Sequence, residues 1–534
     1  MAAPNEKLAD SLNVLKALQD QGFRVFQPSV IPSLTRTHRE RLVRAGFLRQ
    51  VIQGWYLANN PEDADGDSTH WYANMEVFVA AYANSRFDDD WQLSAELSLL
   101  KHSGHTSIAK QLQLQSPKAN NQMQALPHDC SLFLYRIPES QLVASRAPDA
   151  SGLILMPLPD ALIRVSPTFF TQHEMAAQIA MRQVDISLLI ARLLEGGHSL
   201  VAGRLAGALR AVGRTADANQ LLTTMKAAMY TTTENNPFER PLAQINGRRN
   251  ESPYVLRIKA MWSTMRETVL KRFENVPRRG LTDANSLLSD IAARYVADAY
   301  HSLSIEGYRV GAELIEKVRN GQWSPLTHPE DRQTRDAMAA KGYAETHSHV
   351  KALIGRVVNE GLKPAEAFSA DFFQWYVTLF SPSVQAGILK AGDLAGFRNN
   401  QVFIRNALHV PPSPEAVREC MPALMDLLES EEHAGVRAVL GHFIFVFIHP
   451  YMDGNGRLSR FVMNFMLTTG GYPWTIVTVQ SRKAYLDALE QASTYGNIEP
   501  FADLLCSLIS EQAVTPVERI TQRPEAGDWT VPPV

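Results

Sequence analysis

The sequence predicts a mainly α-helical chain with a small α/β portion towards its N-terminus. Two apolar runs, residues 438–448 and 461–467, flank one short polar segment. Apolar residues recur at helical spacing across 186–229 and again at Leu287, Leu288, Ile291, Tyr295, Ala299 and Leu303. Residues 61–165 instead alternate short apolar runs with polar turns, as in Leu132-Phe-Leu-Tyr135 and Gly152-Leu-Ile-Leu-Met156. The two apolar runs are long enough for buried helices, although periodicity alone leaves strands open.

In chain order, Leu8, Leu12, Leu15 and Leu18 mark an amphipathic helix over 6–21. Pro32-Ser-Leu-Thr35 starts a second helix that ends near Ala45-Gly46. Phe47-Leu-Arg-Gln-Val51, a turn at Gln53-Gly54 and Trp55-Tyr-Leu57 read as a short hairpin. Helix, helix, hairpin is the plan of a winged helix-turn-helix, here spanning 1–60. The run Leu34, Arg36, Leu42, Val43, Gly46, Leu48, Gly54, Tyr56 resembles the N-terminal winged helix of AbiEi-type antitoxins and related bacterial regulators. Arg36, Arg39 and Arg44, with Arg41 and Arg49 nearby, form a candidate phosphate footprint, so DNA is an expected partner. Protein contact is the alternative use of such a module. A small α/β domain follows over 61–170, a helical segment over 171–240, and a polar, turn-rich linker over 234–253. The proline-bearing tail, 516–534, is expected to be flexible.

The 534 residues give a prior of about three or four domains. Hydrophobic residues make up 45% and charged residues 20%, an ordinary globular balance. The formal net charge of −3 gives no global basic field for nucleic acid. No run of ~18 apolar residues appears, and the N-terminus lacks a signal-peptide pattern, so a cytoplasmic location is expected. Cys130, Cys420 and Cys506 are odd in number and far apart, and read as reduced thiols. The pairs His102/His105 and His347/His349 lack further ligands at metal spacing.

The chemistry concentrates in His449-Pro-Tyr-Met-Asp-Gly-Asn-Gly-Arg-Leu-Ser-Arg460. His449 can accept a proton near neutral pH. Asp453 offers an oxygen ligand for magnesium. Gly454 and Gly456 let backbone N–H groups approach phosphate oxygens, and Arg457 and Arg460 supply planar cationic forks for them. Pro450 should end the first helix with His449 extended, and Arg457 should open the second. The segment is no Walker A loop, since it lacks the Gly-Lys-Ser/Thr ending. The bland reading is a polar turn between two core helices.

This segment resembles the signature of Fic-domain proteins, with Tyr451 where phenylalanine is usual. The resemblance covers 285–515. It implies an all-α Fic domain with a β-hairpin flap, transferring AMP from ATP to a Ser, Thr or Tyr hydroxyl of a protein, its own chain included. It makes His449 the base, Asp453 the magnesium ligand, and Gly454, Asn455, Gly456, Arg457 and Arg460 the phosphate contacts. Gln401, Val402 and Phe403 resemble the flap that docks the target by strand addition. Tyr485 is the candidate base contact, with core packing as its alternative. Ser302-Leu-Ser-Ile-Glu306-Gly307 resembles the family's inhibitory pattern, which implies an N-terminal inhibitory helix over 287–307 whose Glu306 competes for Arg460. Asp283 or Asn285 is its expected N-cap. His442, inside the first apolar run, reads as a satisfied core histidine. A homodimer is among the expected assemblies. Two other functions stay open: removal of AMP with Glu306 aligning water, and a DNA-binding regulator that only senses ATP.

Overall fold

The computed structural model describes residues 4–61, 67–242, 251–278, 280, 283–320 and 335–514. The tail expected to be flexible therefore lies outside the described residues. The backbone divides into two units, one of 1–242 with 403–410 and one of 243–402 with 411–534.

The first unit opens with helix α1 (Pro4–Asp20), strand β1 (Val25–Phe26), α2 (Arg36–Arg44), β2 (Leu48–Ile52) and β3 (Trp55–Ala58). Helix α2 starts where it does because Thr35 accepts a hydrogen bond from the His38 N–H. The strands form one antiparallel sheet in the order β1-β3-β2. The two-residue β1 was not legible in the sequence. Leu15, Leu18, Phe26, Leu42 and Leu48 close a small core of their own.

Next come α3 (Thr69–Phe87), β4 (Gln92–Leu93), α4 (Ala95–His102), β5 (Gln111–Ser116), β6 (Gln122–Ala125) and β7 (Ser131–Arg136). The sheet order is β4-β5-β7-β6, with β5 and β7 parallel. Alternating burial along β5 and β7 puts Leu112, Leu114, Leu132 and Leu134 into a core shared with α3. A short pair, β8 (Ala147–Pro148) and β9 (Ile154–Leu155), precedes six helices. These are α5 (Leu158–Arg164), α6 (Phe169–Gln172), α7 (Glu174–Gln183), α8 (Ile186–Gly196), α9 (Ser199–Ala211) and α10 (Thr215–Ala227). They share a second core around Leu189, Leu205 and Leu209.

Residues 403–410 belong to this unit through main-chain pairing. The Ile108 N–H donates to the Leu408 carbonyl and the Val410 N–H to the Thr106 carbonyl, both at 2.8 Å. Ser107 and His409 form a β-bridge, and the Thr106 hydroxyl lies 3.0 Å from His409 Nδ1.

Among its described residues the second unit is built of helices joined by loops, with no strand. It holds α11 (Pro253–Phe273), α12 (Ala284–Ile305), α13 (Ala312–Arg319), α14 (Arg335–Glu360) and α15 (Pro364–Gln385). After a loop come α16 (Pro414–Ser430), α17 (Ala434–Ile448), α18 (Asn455–Thr469), α19 (Arg482–Tyr495) and α20 (Glu499–Val514). The apolar runs thus resolve as helices α17 and α18, which pack against each other with nearly every side chain buried. Asp283 caps α12 by accepting from the Asn285 and Ser286 N–H groups. The loop between α15 and α16 corrects one expectation. In place of a β-hairpin flap it is irregular, with no strand and the single β-bridge of His409. Pro411 and Pro412 cannot donate to a ladder, and the Gln401 amide donates to the Pro411 carbonyl at 2.7 Å. Among the described residues no helix is long and apolar enough to cross a membrane.

Candidate active site

The site is built on the loop that joins α17 to α18. The first helix stops before Pro450, as the ring requires, but His449 is not extended. It is left-handed, at φ 52° and ψ 61°, and its N–H donates to the Phe445 carbonyl at 2.9 Å. Closing the last turn of α17 selects this conformation over the extended one expected next to proline. A non-glycine residue held there costs on the order of 1 kcal/mol, a strain that the surrounding contacts must offset.

Those contacts come largely from Arg398. Its Nε donates to the His449 carbonyl at 2.8 Å, its Nη1 to the Asn400 carbonyl at 3.0 Å, and its Nη2 to the Pro412 carbonyl. Its backbone N–H donates to the Pro450 carbonyl at 2.9 Å. Burial pushes the guanidinium pKa down to about 10, so it stays charged at neutral pH. Sequence reading passed over Arg398, because three of its partners are backbone carbonyls distant in the chain.

His449 Nδ1 lies 3.2 Å from the Val446 carbonyl, which can only accept. The proton is therefore assigned to Nδ1, leaving the lone pair on Nε2. Burial lowers the imidazole pKa to about 4, and the Arg398 charge adds to this. The ring is neutral at pH 7 and able to take a proton.

Helix α18 begins two residues earlier than expected, at Asn455, with left-handed Gly454 (φ 82°) as its N-cap. A Cβ on Gly454 would sit 2.7 Å from the Phe380 ring, so glycine is required both by conformation and by space. No side chain caps this terminus, so its first N–H groups and helix dipole remain for an anion. The Asn455 amide, expected to face phosphates, is spent elsewhere. Its Oδ1 accepts from the Tyr451 N–H at 3.0 Å and its Nδ2 donates to the Tyr451 carbonyl at 2.8 Å. It shapes the loop by tying both backbone groups of Tyr451.

The two arginines differ in environment. Arg457 is buried between the Tyr308 and Phe380 rings, 4.9 and 5.1 Å from their centroids. Its Nη2 lies 3.4 Å from Asp453 Oδ2, an ion-pair distance without hydrogen-bond alignment. Arg460, 3% exposed, donates through Nε to the Ser302 hydroxyl at 2.9 Å. Its Nη2 donates to the Ser302 carbonyl at 3.0 Å and to Glu306 Oε1 at 2.7 Å. Burial is the largest single influence and would lower the Arg460 pKa, but the charge and hydrogen bond of Glu306, together with Tyr485 and Tyr343, raise it on balance. Helix α12 thus brings Ser302 and its C-cap Glu306 against the arginine that ends the motif, and left-handed Gly307 terminates the helix. A Cβ on Gly456 would collide with Glu306 Oε1, so the absence of a side chain there admits the carboxylate.

Asp453 keeps 53% of its side chain exposed. Its Oδ1 accepts from the Gly454 N–H at 2.6 Å, and Oδ2 accepts from the Tyr308 hydroxyl at 3.4 Å. One accessible carboxylate beside a phosphate-binding helix terminus fits magnesium, which takes one or two carboxylates and completes its shell with water and substrate oxygens. No cluster of three His, Cys, Asp or Glu suits a fully protein-held metal among the described residues.

Tyr485 is a packing residue rather than an open base contact. It is 2% exposed, and its hydroxyl lies 2.8 Å from His442 Nε2. The other His442 nitrogen meets the Ser459 carbonyl at 3.0 Å, so this histidine is a satisfied core residue. Gln401 is exposed, while Val402 and Phe403 are half-buried without strand pairing. Tyr308 and Phe380 were not singled out in the sequence. Tyr308 directly follows Gly307, a position that could have drawn attention, whereas nothing local marks Phe380.

The second unit thus gathers a histidine-bearing loop, a glycine-started helix terminus and two buried arginines, one of them bonded to Glu306. Residues 369–467 match the Fic/DOC family. A protein adenylyltransferase Fic from Nematostella vectensis is 41% identical over 109 residues, 20% of this chain and 25% of that protein. One of the same name from Aedes aegypti is 28% identical over 245 residues, 43% of this chain and 44% of that protein. The chain therefore spans less than half the length of these relatives. Among solved structures, a Fic-domain-containing signaling protein from Bacteroides thetaiotaomicron aligns at TM-score 0.34 and 16% identity, covering 51% of this chain and 99% of that one.

Proposed function

We propose that the chain is a self-inhibited protein adenylyltransferase. The observation that carries this reading is the pairing of Glu306 with Arg460 directly beside a neutral His449. A target hydroxyl gives its proton to His449 Nε2 while its oxygen bonds to the α-phosphorus of ATP. The bond from that phosphorus to the bridging oxygen breaks, and pyrophosphate leaves with the electron pair. The first N–H groups of α18 stabilise charge on the phosphate oxygens. Arg460, once released by Glu306, binds the terminal phosphates, and Asp453 would hold magnesium, which would neutralise phosphate charge. While Glu306 occupies Arg460, that fork cannot grip ATP and the α-phosphate is not aligned for attack.

The test is label transfer from α-labelled ATP with magnesium in the Glu306→Gly background. Label on protein is expected in Glu306→Gly and is expected to vanish in Glu306→Gly/His449→Ala with the fold intact by circular dichroism. Equal labelling in both would remove His449 from its role.

For the N-terminal module, exposed Arg44 and Arg49 support DNA as a partner. Its other arginines are partly engaged at home: Arg36 pairs with Glu40 at 2.7 Å, and Arg39 lies over the Tyr56 ring at 5.5 Å. Anisotropy with labelled duplex should show binding that weakens with salt and with Arg44→Glu. Binding indifferent to both would leave protein contact as the module's use.

A further inference from the structure

Helix α12 lines a second concavity, away from the residues that meet Arg460. A cavity of about 660 Å³ opens between α12, α13 and α14. Its wall includes Tyr295 of α12 and His347 of α14, each only 3% exposed. Among the described residues the Tyr295 hydroxyl and His347 Nε2 have no hydrogen-bond partner, and the two rings stand 4.9 Å apart. Both polar atoms are closed off from solvent, so what these two residues present to the cavity is the small accessible remainder of their side chains. Around them stand Arg319, Lys341 and Lys351, against the single carboxylate of Glu345, 3.8 Å from Lys341. Among the described residues the balance at the cavity is three cations to one anion. Burial keeps His347 neutral, lowering its pKa to about 3, with the Lys351 charge pushing the same way. The wall therefore offers two uncharged aromatic side chains beside cationic ones, a combination suited to an anion with an organic body. The volume lies within the range of small-molecule sites, roughly 300–1,000 Å³.

We propose that this cavity binds a phosphate monoester of mononucleotide size, its phosphate held by Arg319, Lys341 and Lys351 and its body set against Tyr295 and His347. The site is separate from the loop of His449, and the binding claim does not depend on AMP transfer. Its regulatory meaning does rest on that reading. Tyr295 precedes Glu306 by 11 residues, about three turns along the same helix. A ligand that fits the cavity as formed here favours α12 in its docked position, and so favours the pairing of Glu306 with Arg460.

The test uses full-length protein with isotope-labelled histidine, the His347 ring signals being assigned with His347→Gln. AMP is titrated in, with inorganic phosphate as a parallel probe. Saturable movement of the His347 signals by AMP is expected, with inorganic phosphate at least about tenfold weaker because it leaves the body of the cavity unfilled. Lys341→Gln/Lys351→Gln should weaken the AMP response at least about tenfold, and Arg319→Ala, on an exposed position, serves as the second variant. No movement with AMP would overturn the proposal, as would an equal response in both variants. Equal affinity for phosphate and AMP would overturn the assigned ligand size. Loss of label transfer in Glu306→Gly would not bear on this result, so the two readings fail separately.

Discussion

Removing Glu306 is the perturbation whose consequences the geometry specifies most fully. At 2.7 Å and an effective dielectric of 20, the attraction between Glu306 and Arg460 is roughly 6 kcal/mol gross. Burying Arg460 offsets much of this, and Glu306, with 31% of its side chain exposed, is partly screened by water. A net coupling of about 1–3 kcal/mol remains, the usual range for linked sites, and it corresponds to a change of about 5- to 150-fold. Glu306→Gly should therefore raise protein labelling from α-labelled ATP by tens of fold at subsaturating nucleotide. Glu306→Gln separates charge from bulk. Its amide oxygen can still accept from Arg460, but as a neutral acceptor it holds the fork about half as strongly. Its labelling should fall between wild type and Glu306→Gly. Both variants should lower Tm, Glu306→Gly more, because it removes the Glu306 contact from Arg460 altogether while Glu306→Gln only weakens it. Labelling of Glu306→Gly within twofold of wild type, at equal ATP occupancy, would refute the inhibitory assignment. Labelling of Glu306→Gln equal to wild type would show that bulk, not charge, closes the site.

Other outcomes follow from single contacts. Tyr451 stacks on Tyr376 at 3.7 Å, yet its buried hydroxyl has no partner, so Tyr451→Phe should gain about 1 kcal/mol in denaturant unfolding, and a loss of stability would point to a missed partner. Gly454→Ala should destabilise by several kcal/mol and abolish labelling, since it demands left-handed backbone and drives a methyl into Phe380; near-native Tm would contradict the loop geometry. Burial raises the Asp298 pKa from its ordinary 3.8 to about 6 in the fold, although Tyr343 donates to it at 2.6 Å. Its contribution is complete below the unfolded pKa and is lost as pH rises through about 6, so Asp298→Asn should gain on wild type between pH 4 and pH 7, by on the order of 3 kcal/mol, and a pH-independent difference in Tm would remove that assignment.

The motif from His449 to Arg460 was legible because its chemistry is consecutive in the chain and its flanks are apolar. The Asp283 cap and the helix leading to Glu306 were legible because caps and 3.6-residue spacing are local signals. What failed depended on distant partners. Pro450 suggested an extended His449, but the closing turn of α17 and the Arg398 fork hold it left-handed. Asn455 looked like a phosphate ligand until its amide was found on the Tyr451 backbone. The segment 401–404 has strand-like composition, but the pairing in that loop falls later, at 408–410, against residues 106–108, more than 290 positions away in sequence. The rings that enclose Arg457 come from separate segments and left no shared pattern.

The order of parts along the chain has a consequence during synthesis. Glu306 precedes His449 by about 140 residues, so α12 leaves the ribosome before α17 and α18 exist. At about 5–20 residues per second the catalytic loop follows some 7–30 s later. On the proposed reading, the loop closes onto an inhibitor already made, and a nascent chain never displays an unguarded active site to its neighbours. A rearrangement placing α12 after α20 would reverse that order and expose each new molecule, for a short interval, as an active enzyme.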